Sequence, residues 1–384
     1  MDIATAGAAK LTGAPDRPWY LRAWSGITFS ALMRVLVRNH FAVSPTRIAM
    51  ATILVGISLF NSGLGLLQRL VYGRRIARTQ LVEDPVFVVG HWRSGTTLLH
   101  ELLVCDPQHG FANTYACFAP NHFLLTEWCL KRLLSLLLPP KRPMDNMSFG
   151  WEYPQEDEWA LCNMGLPSPY LLVMFPNRPL TGPCYLDMRD VPADDRERWK
   201  AKFLWFLQSL TLRHGKRIVL KTPLHTSRIA TLLTLFPRAR FVHIVRDPCE
   251  IFPSTVHTWK RIYRYHGLQV PRYEGLEEYV LTNLTRMYAA FEQDVQQIAP
   301  NRLFELRYED LVADPVGQMK DLYEHLQLGD FEQVRPQIEQ YVARTRDYQT
   351  NRHALTDEQR QLISERWAAY SAKYGYNNRG HYGG

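Results

Sequence analysis

Short apolar runs alternate with longer stretches of mixed polarity along most of the chain from residue 86 onward. Runs rich in Val, Ile and Phe predict buried parallel strands, and the longer stretches, in which apolar positions follow a helical spacing, predict helices. The strands are predicted at Val86–Val89, 217–221, 240–245 and Leu303–Arg307, and the helices at 98–104, 122–138, 196–213, 226–236, 276–298, 310–327 and 355–373. Strands that alternate with helices form a parallel sheet flanked by helices, an α/β fold that binds ligands at the carboxyl ends of its strands.

The same pattern divides the chain into an N-terminal part and a larger domain. Residues 1–18 predict a flexible tail, residues 19–83 an N-terminal helical appendage, and residues 84–384 the α/β domain. Within that domain, residues 139–197 are rich in Pro, Gly, Asp and aromatic side chains and show no regular period. An irregular stretch of that length is typical of a functional cover, so we expect a substrate-binding insertion there.

One segment of the appendage is apolar enough to concern a membrane. Residues 48–60 carry no charge, and the apolar character continues beyond them across an asparagine, a serine and two glycines. Three interpretations stay open: a helix buried against the α/β domain, a peripheral membrane contact through residues 47–78, and a true span. A span needs about 20 apolar residues, which the polar interruptions weaken. Arg74, Arg75 and Arg78 favour contact with anionic lipid head groups.

The strand Val86–Val89 is followed by a glycine turn that opens a helix. Gly90 and Gly95 keep the glycine spacing of a nucleotide-binding phosphate loop, which runs G-x-x-x-x-G-K-[S/T]. Thr96 stands where the lysine of that loop belongs, and a cation returns at Arg93 within the turn. Backbone N–H groups of such a turn and of the helix N-terminus attract an anion. The sequence therefore predicts a site for a phosphate-bearing ligand, and the missing lysine argues against ATP chemistry with Mg²⁺.

Three segments resemble one known enzyme family. Residues 93–98, Arg-Ser-Gly-Thr-Thr-Leu, resemble the 5′-phosphosulfate loop of the sulfotransferases that use 3′-phosphoadenosine-5′-phosphosulfate (PAPS), in particular their bacterial and Golgi-type branch. Arg246 at the end of a predicted strand, with Ser254 on the next helix, resembles the pair that clamps the 3′-phosphate of PAPS in that family. Tyr308 matches a family segment whose tyrosine lies near the nucleotide. The resemblance covers residues 85 to 375, roughly.

The resemblance implies a P-loop-like parallel sheet, PAPS as the sulfuryl donor and no required metal. The residues implied to bind PAPS are Arg93, Ser94, Gly95, Thr96, Thr97, Arg246, Ser254 and Tyr308. Lys221, which ends a predicted strand in a K-x-P setting, resembles the lysine that neutralises the leaving group in related enzymes. The implied reaction is the in-line transfer of a sulfuryl group to a hydroxyl or amine of a small-molecule, glycan or lipid acceptor.

The motifs do not fix the general base. Some family members carry a glutamate shortly after the loop helix, where this chain has no carboxylate. The best substitute is an acidic run in which Glu156 and Asp157 are preferred and Glu158 is a further choice, because neighbouring carboxylates near an apolar wall raise the pKa of one of them. His225 competes for the role, since the ordinary pKa of histidine, about 6.5, suits a base near neutrality.

Composition bounds the function classes and the compartment. The chain of 384 residues has a net charge of +8, but its basic residues are scattered, which argues against nucleic acid and suits capture of a polyanionic donor. The 6 cysteines show no metal-binding spacing, and no secretory signal is recognised. We therefore predict a cytoplasmic protein, at the inner face of a membrane if the appendage makes contact. Two alternatives stay open: a P-loop small-molecule kinase, and a non-catalytic, membrane-associated nucleotide-binding module.

Overall fold

The structure, a computed structural model, describes residues 20–135, 150–179, 184–346 and 354–376. The predicted tail and the first part of the predicted insertion, 139–149, lie outside these ranges. The strands of the described residues are β1 (Val86–Val89), β2 (His109–Phe111), β3 (Arg217–Lys221), β4 (Arg240–Val245) and β5 (Leu303–Arg307). Their α-helices are α1 (Phe29–Arg38), α2 (Ile48–Arg78), α3 (Thr96–Leu103), α4 (Thr114–Phe118), α5 (Phe123–Leu134), α6 (Asp157–Asn163), α7 (Ala193–His214), α8 (Ile229–Leu235), α9 (Pro248–His266), α10 (Leu276–Asp294), α11 (Tyr308–Ala313), α12 (Pro315–Leu326), α13 (Phe331–Thr345), α14 (Asp357–Arg366) and α15 (Ala368–Lys373).

The strands form one parallel sheet in the order β2-β3-β1-β4-β5. β1 lies at its centre, where its apolar residues are buried on both faces. Val88 pairs with Lys221 of β3, and Val89 pairs with His243 of β4, so the carboxyl ends of these three strands meet at one edge. The chain leaves β1 toward one side of the sheet and later adds β4 and β5 on the other. Ligands of doubly wound sheets bind at such a reversal of strand order.

Alternate residues of β1 point into two separate cores. Val86 and Val88 join a smaller core with α3, α12 and α13, whereas Phe87 and Val89 join a larger one on the opposite face. This alternation follows from the two-residue period of a strand. Trp24 and the inner side chains of α1 and α2 belong to the larger core. The predicted N-terminal appendage thus shares its packing with the α/β domain.

The predicted insertion is more regular than its composition indicates. It contains α6 and a 3-10 helix, Pro169–Val173, and α7 begins at Ala193. The first two elements have only 7 and 5 residues, so their apolar positions show no helical period over the usual window. Most described residues between 150 and 192 nevertheless lie outside helices and strands, and the role of the segment as a substrate-binding insertion stays a prediction.

Several other boundaries differ from the predicted ones for local reasons. The segment predicted as one helix over 310–327 forms α11 and α12, because Pro315 begins a second helix. The stretch after β3 starts with a 3-10 helix, Pro223–Ser227, before α8. The sequence does not predict β2 or α13. β2 is very short and contains a glycine, and α13 carries an internal proline, Pro336.

The length and burial of α2 bear on whether the appendage contacts a membrane. Among the described residues, one helix, Pro45–Arg78 with its leading turn, is long and apolar enough to cross a membrane by length and composition. Only 28% of its most apolar window is buried inside the protein. α2 is therefore packed against the rest of the protein on one side only. Peripheral membrane contact and a true span stay predictions.

Candidate active site

The turn between β1 and α3 requires glycine at two positions. Gly90 has φ 149° and Gly95 has φ 104°, both in the left-handed half of conformational space. A Cβ atom on Gly90 would lie 2.4 Å from the carbonyl oxygen of Ile244, and one on Gly95 would lie 2.4 Å from Cδ2 of Tyr308. The Gly90 N–H donates to Oγ1 of Thr226 at 2.7 Å, which ties the turn to the segment after β3. The glycines therefore keep a close-fitting backbone cradle open.

The cradle ends in the first turn of α3. Ser94 is buried and its hydroxyl donates to the carbonyl of His91 at 2.8 Å, so this side chain braces the turn from inside. Thr96 and Thr97 occupy the first turn of α3, directly after Gly95. The first N–H groups of a helix lack intrahelical acceptors and carry the positive end of its dipole. The predicted loop residues thus form an anion-attracting surface at the carboxyl end of β1.

Arg93 joins this cradle to the second predicted motif. Its φ of 67° is unusual for a residue with a side chain, a conformation that costs about 1 kcal/mol or more and persists only where neighbours hold it. The Arg93 carbonyl accepts a hydrogen bond from Nη1 of Arg246 at 3.1 Å, and Nε of Arg93 donates to Oγ of Ser254 at 3.0 Å. Arg93 and Arg246 are 153 positions apart in the chain, and the fold places both at one site.

Arg246 is held from several sides at the end of β4. Its guanidinium lies 4.4 Å from the centre of the Tyr308 ring, and Nη2 contacts Glu250 at 3.4 Å. Tyr370, on α15, accepts from the Arg246 N–H at 3.1 Å and donates to the Arg246 carbonyl at 2.9 Å. No sequence motif marks Tyr370, which lies 124 positions further along the chain. The fold thus holds the guanidinium beside the loop, with the carboxylate of Glu250 in contact with it.

A chain of hydrogen bonds links β3 to the loop through the predicted insertion. Nζ of Lys221 donates to Oε1 of Glu156 at 2.8 Å, and the Tyr170 hydroxyl donates to Oε2 of Glu156 at 2.5 Å. Nε1 of Trp92 donates to the Tyr170 oxygen at 2.9 Å. Lys221 is nearly buried, whereas Glu156 keeps 17% of its side chain exposed. The cation and the carboxylate therefore meet beside the loop, with the carboxylate nearer the open side.

The other two carboxylates of the acidic run turn into the core. Asp157 Oδ2 contacts His225 Nε2 at 2.8 Å, and both side chains are fully buried. Glu158 forms a two-pronged pair with Arg228, at 2.7 and 3.1 Å, and this pair is fully buried as well. Three consecutive acidic residues thus meet the last residue of β3 and two positions of the segment that follows it. The arrangement does not bring Asp157 or His225 to the open side, because the rings of Phe87 and Phe203 enclose the histidine.

Burial sets the protonation of the groups around the loop. Desolvation lowers the pKa of His91 to about 4, against a smaller opposing effect of its contact with the Trp92 carbonyl, so the ring is neutral at pH 7. Burial first, and then the negative charge of Glu156, raise the pKa of Tyr170 well above its usual range. Tyr170 therefore stays protonated and acts as a donor. The positive charge at this edge comes from the arginines and Lys221.

These features coincide with a known family. The sequence model of the sulfotransferase family matches residues 85–333, more than half of the chain. The chain belongs to the sulfotransferase family. The match spans the glycine turn, the strand end that carries Lys221, and the Arg246 motif. This finding confirms the predicted enzyme class and sets aside the kinase and the non-catalytic module.

Named relatives extend the similarity over nearly the whole sulfotransferase. Two proteins, each called omega-hydroxy-beta-dihydromenaquinone-9 sulfotransferase Stf3, from Mycobacterium bovis and Mycobacterium tuberculosis, are 47% identical over 361 residues, which covers 94% of this chain and 93% of the relative. The crystal structure of sulfotransferase STF9 from Mycobacterium avium has a TM-score of 0.64 at 18% identity and covers 93% of this chain and 98% of its own. That of STF1 from Mycobacterium tuberculosis H37Rv has a TM-score of 0.59 at 17% identity, covering 89% and 92%. These two structures confirm the predicted fold.

Proposed function

We propose that this sulfotransferase takes its sulfuryl group from PAPS and transfers it to a terminal hydroxyl of an apolar, lipid-like acceptor. The convergence of Arg93 and Arg246 carries the proposal. A donor with a 5′-phosphosulfate and a 3′-phosphate needs two anion sites within reach of one nucleotide. Arg246 bonds the backbone of Arg93 at 3.1 Å, so two guanidinium groups from separate motifs border one site. ADP and ATP carry no 3′-phosphate, so neither nucleotide accounts for the second anion site.

The residues around the loop fit the donor by their chemistry. The glycine turn and the first turn of α3 would bind the 5′-phosphosulfate through backbone N–H groups, with Arg93 beside them. Arg246 and Ser254 would bind the 3′-phosphate by charge and hydroxyl, and Tyr308 packs on both Gly95 and Arg246. When bound, PAPS supplies a sulfuryl group on a phosphate leaving group.

Lys221 would stabilise the leaving group, and Glu156 would remove the proton of the acceptor. Transfer places negative charge on the departing phosphate oxygen, and a fixed cation in a water-poor site stabilises that charge strongly. Lys221 is such a cation, because it is nearly buried and held by one carboxylate at 2.8 Å. Glu156 is the partly exposed carboxylate of the cluster, and both of its oxygens have fixed donors. It would accept the proton of the acceptor hydroxyl, while Tyr170 keeps it oriented.

The acceptor side of the cluster is aromatic. The Tyr170 ring lies 4.6 Å from the Trp159 ring and 6.0 Å from the Trp259 ring, centre to centre. Such a wall suits an apolar molecule that presents a single hydroxyl. The Stf3 relatives are named for a hydroxylated menaquinone derivative and share 47% of their residues with this chain. We therefore propose a hydroxylated isoprenoid quinone, or a lipid of similar shape, as the acceptor. A cytoplasmic location at the inner face of a membrane remains our prediction.

Calorimetry with 3′,5′-adenosine bisphosphate against ADP with Mg²⁺ tests the donor. We expect the bisphosphate to bind at least tenfold more tightly, because only it supplies a partner for the Arg246 and Ser254 site. In parallel, PAPS and a hydroxylated menaquinone analogue are incubated with the enzyme, and the sulfated product is sought by mass spectrometry. Equal binding of the two nucleotides would contradict the donor assignment, and sulfation of polar acceptors alone would contradict the acceptor assignment.

Replacing Glu156 with glutamine is expected to slow single-turnover transfer by about 10²- to 10⁴-fold, the usual contribution of a general base. The variant keeps the size of the side chain and one of its two acceptor oxygens. Bisphosphate binding should change little, because Glu156 lies outside the loop and the Arg246 motif. Asp157→Asn is the matched control in the neighbouring position, because its carboxylate faces His225 in the core. That variant should lower the free energy of unfolding and leave the transfer rate of the folded enzyme within a few-fold. The reverse pattern would assign the base to Asp157 and His225.

A further inference from the structure

The polarity of α2 is inverted relative to an ordinary surface helix. Its buried positions include three polar side chains, Ser58, Asn61 and Gln68. Its outward side carries large apolar side chains that are each more than half exposed, namely Ile48, Leu59, Phe60, Leu66, Leu70 and Val71. Leu70 alone is 83% exposed. A helix in water normally turns its apolar face to the core, so this outward face of α2 is built for surroundings other than water.

The inward polar side chains hold α2 against the body of the enzyme. Asn61 Nδ2 donates to the carbonyls of Ser25 at 2.8 Å and Ile27 at 3.2 Å. Oε1 of Gln68 accepts from the Leu124 N–H at 2.9 Å. These bonds lie in the middle of the helix and on the side opposite its exposed leucines. A membrane span would break them and leave buried polar groups without partners, at about 1–3 kcal/mol for each group. The helix is therefore held along the surface of the protein.

Charge indicates which apolar surroundings the outward face suits. α2 contains no acidic residue, and its C-terminal turns carry four exposed arginines, Arg69, Arg74, Arg75 and Arg78. We propose that the outward face of α2 docks in the plane of an anionic lipid bilayer, with its leucines in the acyl boundary and these arginines at the head groups. Apolar area and basic charge on one helix are the two terms that drive interfacial binding.

Aromatic packing connects the inner side of α2 to the active site, a link that rests on the proposed function. A small cavity between α2 and the N-terminal turn Ala23–Gly26 is lined by Trp24, Met50, Ile53 and His266. The centre of the Trp24 ring lies 5.4 Å from the centre of the Trp159 ring. Trp159 packs on Tyr170, whose hydroxyl donates to Glu156. Aromatic contacts thus run from the inner side of α2 to the proposed base. An acceptor dissolved in the bilayer would meet the enzyme at this side.

Vesicle co-sedimentation of the full chain tests the docking. The probes are vesicles of phosphatidylglycerol and phosphatidylcholine in equal parts, and vesicles of phosphatidylcholine alone. We expect binding to the anionic vesicles, at least tenfold weaker binding of the double variant Leu66→Glu/Leu70→Glu, and about fivefold weaker binding for each arginine removed in Arg74→Gln and Arg78→Gln. Val270→Glu/Val312→Glu is the matched control, since both valines are 52% exposed outside α2. It should bind like the unaltered chain.

Two further measurements separate this proposal from the proposed function. Sulfation of a short-chain acceptor in solution should be equal in the Leu66→Glu/Leu70→Glu variant and the unaltered chain, whereas sulfation of a long-chain acceptor in anionic vesicles should fall at least tenfold in the variant. Sulfation without vesicle binding would overturn the docking and leave the function standing. Vesicle binding without sulfation of either acceptor would support the docking and contradict the proposed function. A second copy of the chain is the other candidate to cover the outward face of α2, and analytical ultracentrifugation tests it. If the unaltered chain is a dimer that does not bind vesicles, and the double variant is a monomer, the face belongs to a dimer interface and the proposal is overturned.

Discussion

Replacing Lys221 with methionine is expected to lower the single-turnover rate of sulfuryl transfer by roughly 10²- to 10³-fold, the cost of removing one preorganised electrostatic group from an active site. Methionine keeps most of the buried volume but removes the charge that lies 2.8 Å from Glu156. Binding of 3′,5′-adenosine bisphosphate should stay within a few-fold, because we propose that the loop and Arg246, and not Lys221, bind its phosphates. Rapid-quench kinetics measure the first quantity and calorimetry the second.

A matched lysine controls for the loss of an ion pair. Lys200 on α7 contacts Glu197, also at 2.8 Å, and lies outside the strand edge that forms the site. Lys200→Met should leave transfer unchanged, and Lys221→Arg should recover part of the lost rate since it restores the positive charge. Undiminished turnover of Lys221→Met, in a protein whose thermal unfolding is unaltered, would remove Lys221 from the mechanism.

The second large effect is expected at Arg246. Arg246→Gln should weaken binding of 3′,5′-adenosine bisphosphate by about 100-fold, because about 3 kcal/mol of charge-assisted hydrogen bonding to the 3′-phosphate is lost. Binding of 5′-AMP, which lacks that phosphate, should change little. The ratio of the two affinities, measured by calorimetry, reports the site directly and does not depend on the transfer step.

The opposite end of the same strand provides the control for Arg246. Arg240 begins β4 and contacts Glu83 at 3.2 Å, away from the loop. Arg240→Gln should therefore leave both affinities unchanged. If Arg246→Gln weakens 5′-AMP and the bisphosphate equally, the arginine supports the structure of the loop, and the 3′-phosphate must bind elsewhere.

The parts of the site that the sequence predicts are those encoded by local pattern. A buried strand, a turn that needs glycine and a following helix occupy one short stretch, so the residues around Gly90 and Gly95 place the anion cradle without information from the rest of the chain. The end of β4 predicts the position of Arg246 for the same reason. Parallel strands bring their carboxyl ends to one edge, and the meeting of both motifs there follows from the fold class.

The roles within the acidic run could not be predicted in this way. Successive residues at the start of a helix point in directions about 100° apart. The local sequence does not indicate which of the three carboxylates faces the active site. The fold decides it, because Lys221, His225 and Arg228 come from another segment and each takes one carboxylate. Tyr370 is beyond local pattern as well, since its contact with Arg246 joins the end of the chain to β4.

The sequence by itself determined the family, the α/β sheet, the glycine cradle and the presence of an apolar, arginine-flanked segment. Each of these features depends on a local sequence pattern, which residues close together in the chain define. Only the tertiary structure decided that Glu156 lies beside Lys221 while Asp157 is enclosed, and that α2 turns Asn61 and Gln68 inward and its leucines outward. The direction of a side chain depends on which distant segments pack against its helix. That information arises only when the chain is folded.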